Sequence, residues 1–173
     1  MAYIFYMKRI FSILFCISLV ITAHASEAAY TVESIPNPHT TNVLDFVSNP
    51  DGILSDETEY YLNQKLNELE KQTTAEVAVV AVNSIGNDDI NLFSNELFAH
   101  WGIGKKEKDN GLLVLLVLDQ RQIRFETGYG LEGVLPDAIC KRIQMQEMIP
   151  YLKNNDFNGG MKAGIDKIFL VLT

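Results

Sequence analysis

Seven consecutive apolar residues, 112–118, constrain the fold of this chain more than any other feature. A strand that is apolar on both faces must be covered on both faces, which is the situation of a central strand in an α/β sheet. A short turn at residues 119–121 leads into residues 122–127, where apolar and charged side chains alternate. Strands joined by so short a turn are antiparallel neighbours, so we expect a hairpin within the sheet.

Patterns elsewhere in the chain predict the remaining elements. Short apolar segments predict strands at residues 43–47 and at Glu76–Val82. Helical spacing predicts four helices, and Ser55 and either Asp88 or Asp89 are suitable N-caps for the first two. The predicted helices lie at residues 55–72, 90–101, 136–150 and 161–172. Helices on both faces of a mixed sheet give an α/β fold, a three-layer α/β/α sandwich with a mixed central sheet.

The first 25 residues have the pattern of a secretory signal peptide. Lys8 and Arg9 precede an apolar stretch at residues 10–21, and the small residues of an A-x-A cleavage site stand at residues 23–25. We therefore expect a signal peptide at 1–25, a flexible leader at 26–42, a domain at 43–173 and a periplasmic or secreted location. The alternative is an uncleaved N-terminal anchor.

Charge and cysteine content exclude several classes of protein. The formal charge of the 173-residue chain is −8, and removal of Lys8 and Arg9 makes it about −10. An acidic domain repels phosphate backbones, so nucleic acid is a poor partner and a divalent cation or a basic protein partner is a better one. Cys140 is the only cysteine after residue 25, so no intramolecular disulfide is expected. The apolar core must stabilise the fold, which we expect to be a monomer.

A glycine-rich segment matches the dinucleotide fingerprint in its letters. Residues 128–133 read Gly-Tyr-Gly-Leu-Glu-Gly. The fingerprint requires the first strand of a βαβ unit, whereas here the preceding strand is the second arm of a hairpin. The glycines are therefore expected to shape a loop, and at least one of Gly128 and Gly130 is expected to need a positive φ. Whether Gly128 and Gly130 bind some other cofactor stays open at this stage.

Acidic residues lie in loops and at element ends, where carboxylates of several strands can converge. We predict that Asp51, Asp109 and Glu126, with Asp137 as a fourth candidate, line one cleft at the ends of the sheet. Oxygen ligands of this kind suit Ca²⁺ or Mg²⁺. The alternative is that these acids only solvate turns, cap helices or pair with Lys105 or Lys106.

Residues of classical hydrolytic chemistry are scarce. No aspartate nucleophile motif is present, and the surroundings of Cys140 lack the histidine and arginine of a cysteine phosphatase. A serine triad would have to use His100, and no nucleophile elbow marks a serine. The only arginines available to clamp a phosphate are Arg121, Arg124 and Arg142.

Several segments, taken in order, resemble the TPM domain family. They are residues 51–55 with the following helix, 98–104 with Trp-Gly-Ile-Gly, the Asp-Asn-Gly of 109–111, 124–133 with Glu-Thr-Gly-Tyr-Gly-Leu-Glu-Gly, 136–137 and 156–157. The resemblance covers roughly residues 43–172. It implies an extracytoplasmic α/β/α domain. Many bacterial members continue into a transmembrane helix and a glycine-rich tail, and because neither follows here we expect no transmembrane anchor after signal cleavage.

The resemblance implies more than one function. Some relatives, such as the thylakoid-lumen phosphatase-like proteins of photosystem II repair, are credited with acid phosphatase activity. Others resemble accessory modules, and some bind divalent cations at loop acids. The leading hypothesis is an exported, divalent-cation-binding accessory or interaction module with a partner in the cell envelope. A metal-assisted phosphomonoesterase and a structural domain without a ligand are the alternatives.

Overall fold

The computed structural model describes residues 29–173, and the predicted signal peptide therefore lies outside the described residues. Four strands form one sheet in the order β1 (Val47–Ser48), β2 (Glu76–Val82), β3 (Gly111–Val117) and β4 (Gln122–Thr127). The first three are parallel, and β4 runs antiparallel to β3, with Leu112 opposite Thr127 and Val117 opposite Gln122. The mixed sheet and the β3–β4 hairpin are thus as predicted, and β4 is an edge strand.

The helices lie between the strands in the chain and after the last strand. They are α1 (Asp56–Thr73), α2 (Ile90–Trp101), α3 (Asp137–Ile143), α4 (Ile149–Leu152) and α5 (Phe157–Leu172). Ser55 caps α1 through Thr58 N–H, and Asp89, not Asp88, caps α2. The predicted strand at residues 43–47 is wrong in its bounds, because the strand covers only Val47 and Ser48, preceded by a single hydrogen bond from the Val79 N–H to the Phe46 carbonyl.

Two apolar clusters lie on opposite faces of the sheet and make the molecule three layers thick. One cluster packs alternate residues of β2 and β3, such as Val79 and Val114, against α1, α3 and α5. The other packs the intervening residues, such as Val80 and Leu115, against α2. Every residue of β3 is buried, which explains why its sequence is apolar throughout.

The segment predicted to be a flexible leader packs on the domain over the part that the structure describes. Val32 and Ile35 are buried in the cluster beneath α2. Tyr30 donates its backbone N–H to the Ser84 carbonyl, and the Ser48 hydroxyl donates to the Pro36 carbonyl. The absence of a periodic pattern in this segment reflects irregular backbone, not a lack of tertiary contacts.

A single turn of π-helix separates α3 from α4. It covers Gln144–Met148, so the helix predicted at residues 136–150 is interrupted shortly before Pro150. The turn packs closely against Gly164 of α5. A Cβ at that position would lie only 2.5–2.7 Å from atoms of the Met148 side chain, so the close packing depends on glycine. This contact fixes α4 at the end of the sheet where β3 finishes.

Among residues 29–173, no helix is long and apolar enough to cross a membrane.

Candidate binding cleft at the carboxyl edge of the sheet

Asp51 lies at the edge of the sheet where the parallel strands end. Its Oδ1 accepts a hydrogen bond from the Tyr30 hydroxyl at 2.9 Å, and its Oδ2 accepts one from the Asn83 N–H at 2.7 Å. Both carboxylate oxygens therefore hold the loops after β1 and β2 to the N-terminal segment.

Asp109 lies at the opposite edge, immediately before β3 begins. Its backbone has a φ of 48°, its Oδ2 accepts a hydrogen bond from the Tyr129 N–H at 3.1 Å, and its carbonyl oxygen accepts one from the Gly130 N–H at 2.9 Å. The length of β3, seven residues at roughly 3.3 Å each, puts Asp51 and Asp109 about 20 Å apart. Asp109 therefore joins the loop before β3 to the glycine loop after β4.

Gly128 and Gly130 are required by this close approach and not by their backbone angles. Gly128 has a φ of −71°, and neither residue is among the glycines with positive φ, so the prediction of a positive φ is wrong. A Cβ on Gly128 would overlap the Asp109 carbonyl oxygen, and one on Gly130 would overlap the Lys108 carbonyl oxygen. The glycines thus make room for the protein's own backbone, and cofactor binding by them stays a prediction.

Glu126 lies on the face of the sheet that α2 covers. Its carboxylate pairs with the Arg124 guanidinium at 3.0 Å and accepts longer hydrogen bonds from Ser94 and Asn95 of α2, at 3.4 and 3.3 Å. The Asp109 carboxylate contacts none of these groups. The two acids are near the same edge of the hairpin, as the antiparallel register predicts, but they belong to different hydrogen-bond sets.

Asp137 is exposed in the first turn of α3, where a negative charge interacts favourably with the helix dipole. Because α3 and α2 cover opposite faces of the sheet, Asp137 and Glu126 are also on opposite faces. The expectation of one cleft lined by Asp51, Asp109, Glu126 and Asp137 is therefore not met. Because β1, β2 and β3 are parallel, all three begin at one edge of the sheet and end at the other. Asp51, which follows β1, and Asp109, which precedes β3, therefore lie at opposite edges.

Within residues 29–173, no three His, Cys, Asp or Glu side chains form a group that could hold a metal ion. The described donor set does not fit a shared Ca²⁺ or Mg²⁺ centre, and cation binding at any one of these acids stays a prediction.

Cys140 is buried in α3 and is unsuited to nucleophilic chemistry. Its side chain is 5% exposed, and burial raises the pKa of its thiol to about 11, with the nearby Asp137 carboxylate adding to the rise. Thiolate is the reactive form, so this thiol is almost entirely protonated near neutral pH.

A cleft opens at the carboxyl edge, between the β3–β4 turn and the chain from the π-helical turn to the start of α5. Its volume is about 730 Å³, which is within the range typical of small-molecule sites. Ligands of open α/β sheets commonly bind outside the carboxyl ends of the strands. The apolar side chains that line the cleft are Leu116, Leu118, Ile123, Ile149, Leu152 and Phe157.

The polar lining of the cleft is cationic or neutral. It consists of Arg121, Gln122, Gln144, Lys153 and Asn155. None of the described lining residues carries a carboxylate, imidazole, hydroxyl or thiol group, so the cleft offers binding groups but no conventional nucleophile.

The rim of the cleft includes two residues with left-handed backbone conformations. Arg121 has a φ of 51° in the β3–β4 turn, and Asn155 has a φ of 58° between α4 and α5. Such angles are uncommon outside glycine and occur where surrounding structure fixes them, often near functional sites. Sequence reasoning identified Arg121 only as a possible phosphate clamp, and it missed the cleft because α4 and the hairpin are distant in the chain.

The fold and the cleft define a class of α/β/α domain with a ligand-sized cleft beside the β3–β4 hairpin. A family model described as TPM domain matches residues 47–171, and the chain therefore belongs to the TPM domain family. This identifies the family that the sequence motifs indicated. No curated protein matches the chain.

Solved structures include close relatives of this fold. The solution structure of the N-terminal domain of a Porphyromonas protein (P. gingivalis) is 38% identical, with a TM-score of 0.79, over 84% of this chain and 92% of the other. The BA42 protein of Bizionia argentinensis is 18% identical, with a TM-score of 0.62, over 72% and 84% of the two chains. The N-terminal domain of the cg2496 protein of Corynebacterium glutamicum is 16% identical, with a TM-score of 0.61, over 84% and 88%. The last two are similar in fold alone.

Proposed function

We propose that this TPM domain protein is a non-catalytic binding module of the cell envelope, which holds the apolar part of a ligand in the cleft at the carboxyl edge of the sheet. The observation that supports this proposal is the lining of that cleft. Six apolar side chains and five polar ones surround about 730 Å³, and none of them is a conventional nucleophile or carboxylate. Such a lining favours binding and orientation of a ligand over its hydrolysis.

The envelope location rests on the N-terminal sequence. Lys8 and Arg9, the apolar stretch and the A-x-A site together favour export and cleavage after Ala25. The mass of the mature protein tests this part: a chain that begins at Ser26 supports it, and a chain that still begins at Met1 contradicts it.

A phosphomonoesterase remains the alternative that the family resemblance brings. Its phosphate would need converging cations and a nucleophile or metal-bound water. The three arginines do not converge: Arg121 lies at the cleft, Arg124 is paired with Glu126 on the other face of the sheet, and Arg142 belongs to α3. We therefore expect no hydrolysis of p-nitrophenyl phosphate above a protein-free control, with or without Mg²⁺ or Ca²⁺. Turnover that EDTA abolishes would support the phosphatase and contradict the proposal.

Binding is tested by NMR with three neutral probes: p-cresol, indole and cyclohexanol. The methyl signals of Leu116, Leu118 and Leu152 report on the cleft. We expect at least one probe to shift these signals at millimolar concentration. The Ile123→Trp variant, which fills the cleft from β4, is expected to lose the shifts while keeping its overall spectrum. Shifts spread over other surfaces, or none at all, would contradict the proposal.

A further inference from the structure

We infer that the ligand of this cleft is a single-chain amphiphile with an anionic head group, its apolar body lying in the cleft and its charge between Arg121 and Lys153. This inference rests on the proposed function, because it specifies the ligand of the same cleft. Three features of the cleft support it: its unpaired cations, the backbone that carries them, and a lining that is both apolar and polar.

The two cations have no partners within the structure. Among residues 29–173, neither Arg121 nor Lys153 forms an ion pair or a side-chain hydrogen bond, whereas Arg124, Lys105 and Lys162 all pair with carboxylates. The described lining of the cleft contains no Asp or Glu. In a chain of formal charge −8, a concave surface with two cations and no acid is a local positive site. Such a site favours an anion over a neutral or cationic group.

The two cations belong to different elements that both line the cleft. Arg121 is held in the hairpin turn, where its N–H donates to the Leu118 carbonyl at 3.0 Å. Lys153 closes α4, and its N–H donates to the Ile149 carbonyl at 3.0 Å. Because both side chains line the same cleft, an anionic head group bound there interacts favourably with the charge of each.

Neutral amides make up the rest of the polar lining. The side chains of Gln122, Gln144 and Asn155 form no hydrogen bond with another described residue, so their N–H groups can donate to an anionic oxygen. Apolar residues such as Leu116, Ile123 and Phe157 form the rest of the lining. A cleft lined by both apolar side chains and cations matches a ligand with one apolar and one anionic end, and a compact inorganic anion would leave the apolar lining unused.

The experiment compares three probes that share one chain and differ in head-group charge: decanoate, decanol and decyltrimethylammonium. Each is titrated below its micelle-forming concentration while the Leu116 and Leu152 methyl signals are followed by NMR. We expect decanoate to bind at least tenfold more tightly than decanol, and decyltrimethylammonium to bind most weakly. Octanoate should bind more weakly than decanoate, by up to about fourfold for each methylene removed from the cleft.

Variants separate the charge effect from apolar binding. Arg121→Gln and Lys153→Gln are each expected to weaken decanoate binding about three- to tenfold and to leave decanol binding unchanged. Arg142→Gln, which removes a cation of α3 that does not line the cleft, is the matched control and should bind decanoate normally.

Two contrary results have different meanings. Equal binding of decanol and decanoate, or decanoate binding unchanged in both cleft variants, would overturn the anionic ligand and leave the proposed binding function standing. Failure of all three decyl probes to move the cleft signals would contradict both proposals.

Discussion

Individual residues hold the two edges of this domain together in different ways. At the amino edge of the sheet, where β3 begins, the backbone of Asp109 and Lys108 lies directly against Gly128 and Gly130. There is therefore no space for side chains at these glycines. At the carboxyl edge, the Asp51 carboxylate bonds to Tyr30 and Asn83. Residues that looked like ligand-binding groups in the sequence thus have structural contacts of their own.

Substitution of Gly130 tests the close approach at the amino edge. Gly130→Ala should lower the free energy of unfolding by about 1–3 kcal/mol, because the added Cβ overlaps the Lys108 carbonyl oxygen and the loops must separate. Gly133→Ala is the matched control, since a Cβ there meets nothing within 4 Å, and it should change stability by less than about 0.5 kcal/mol. Urea unfolding measures both. Equal stability of the two variants would show that the loops are not packed as described.

The buried thiol gives a pH-dependent prediction. Because burial raises the Cys140 pKa from its ordinary 9.0 to about 11, the thiolate fraction at pH 8 is about a hundredfold lower than for a free thiol. In the form that begins at Ser26, iodoacetamide should react at least that much more slowly than with free cysteine, and the rate should still be rising between pH 9 and pH 10. Unfolding in guanidinium chloride should restore the normal rate. A normal rate in the folded protein would contradict the buried position of Cys140.

The same shift in pKa has a consequence for stability. The folded state binds the thiol proton more tightly than the unfolded state does. The contribution of the buried Cys140 thiol to the free energy of unfolding is therefore complete below pH 9 and is lost as the pH rises toward 11.

Strand β3 is the element on which the packing of both faces depends. Leu115 lies in its middle, fully buried in the cluster beneath α2. Leu115→Ala should lower the free energy of unfolding by about 2–5 kcal/mol, from lost burial and the cavity that remains. Leu92→Ala on α2 is the control, because Leu92 is 61% exposed and its loss should cost less than about 0.5 kcal/mol. Thermal or urea unfolding distinguishes them, and a cost below about 1 kcal/mol for Leu115→Ala would place β3 at the surface.

Elements whose pattern is local were predictable from the sequence, and relations between distant elements were not. Alternation in residues 122–127 and the apolar run before them predicted the hairpin, and both strands are present. Nothing local says that β1 runs parallel to β2, yet this pairing separates Asp51 from Asp109 by the length of the sheet. The predicted acid cleft failed for that reason.

Calcium titration tests whether Asp109 and Glu126 could bind one ion together. Since Asp109 and Glu126 contact different groups, any Ca²⁺ that binds near one has no reason to depend on the other. Calorimetry should therefore show at most one of Asp109→Asn and Glu126→Gln to weaken binding. Loss of binding in both variants would mean that the two carboxylates share an ion, contrary to the described geometry.

For the molecule as a whole, the arrangement of layers creates the cleft. The turn of the β3–β4 hairpin lies at the carboxyl edge of the sheet. The π-helical turn packs on the glycines of α5 and brings α4 to the same edge. Leu118 and Leu152 therefore line one cleft although many residues separate them in the chain. Sequence periodicity predicted both strands of the hairpin and the helical character of the segments near this site, but it missed the π-helical turn and the first four residues of α5. It contains no information on which ends meet.

Contacts between a bound probe and the protein test most directly whether this domain binds an apolar group in the cleft. The measurement is an isotope-filtered NOE experiment on protein with ¹³C-labelled methyl groups and unlabelled p-cresol. We expect NOEs from the p-cresol ring and methyl group to the methyl groups of Leu116, Ile123 and Leu152, all of which line the cleft. NOEs confined to methyl groups elsewhere, or a complete absence of NOEs at millimolar probe, would contradict it.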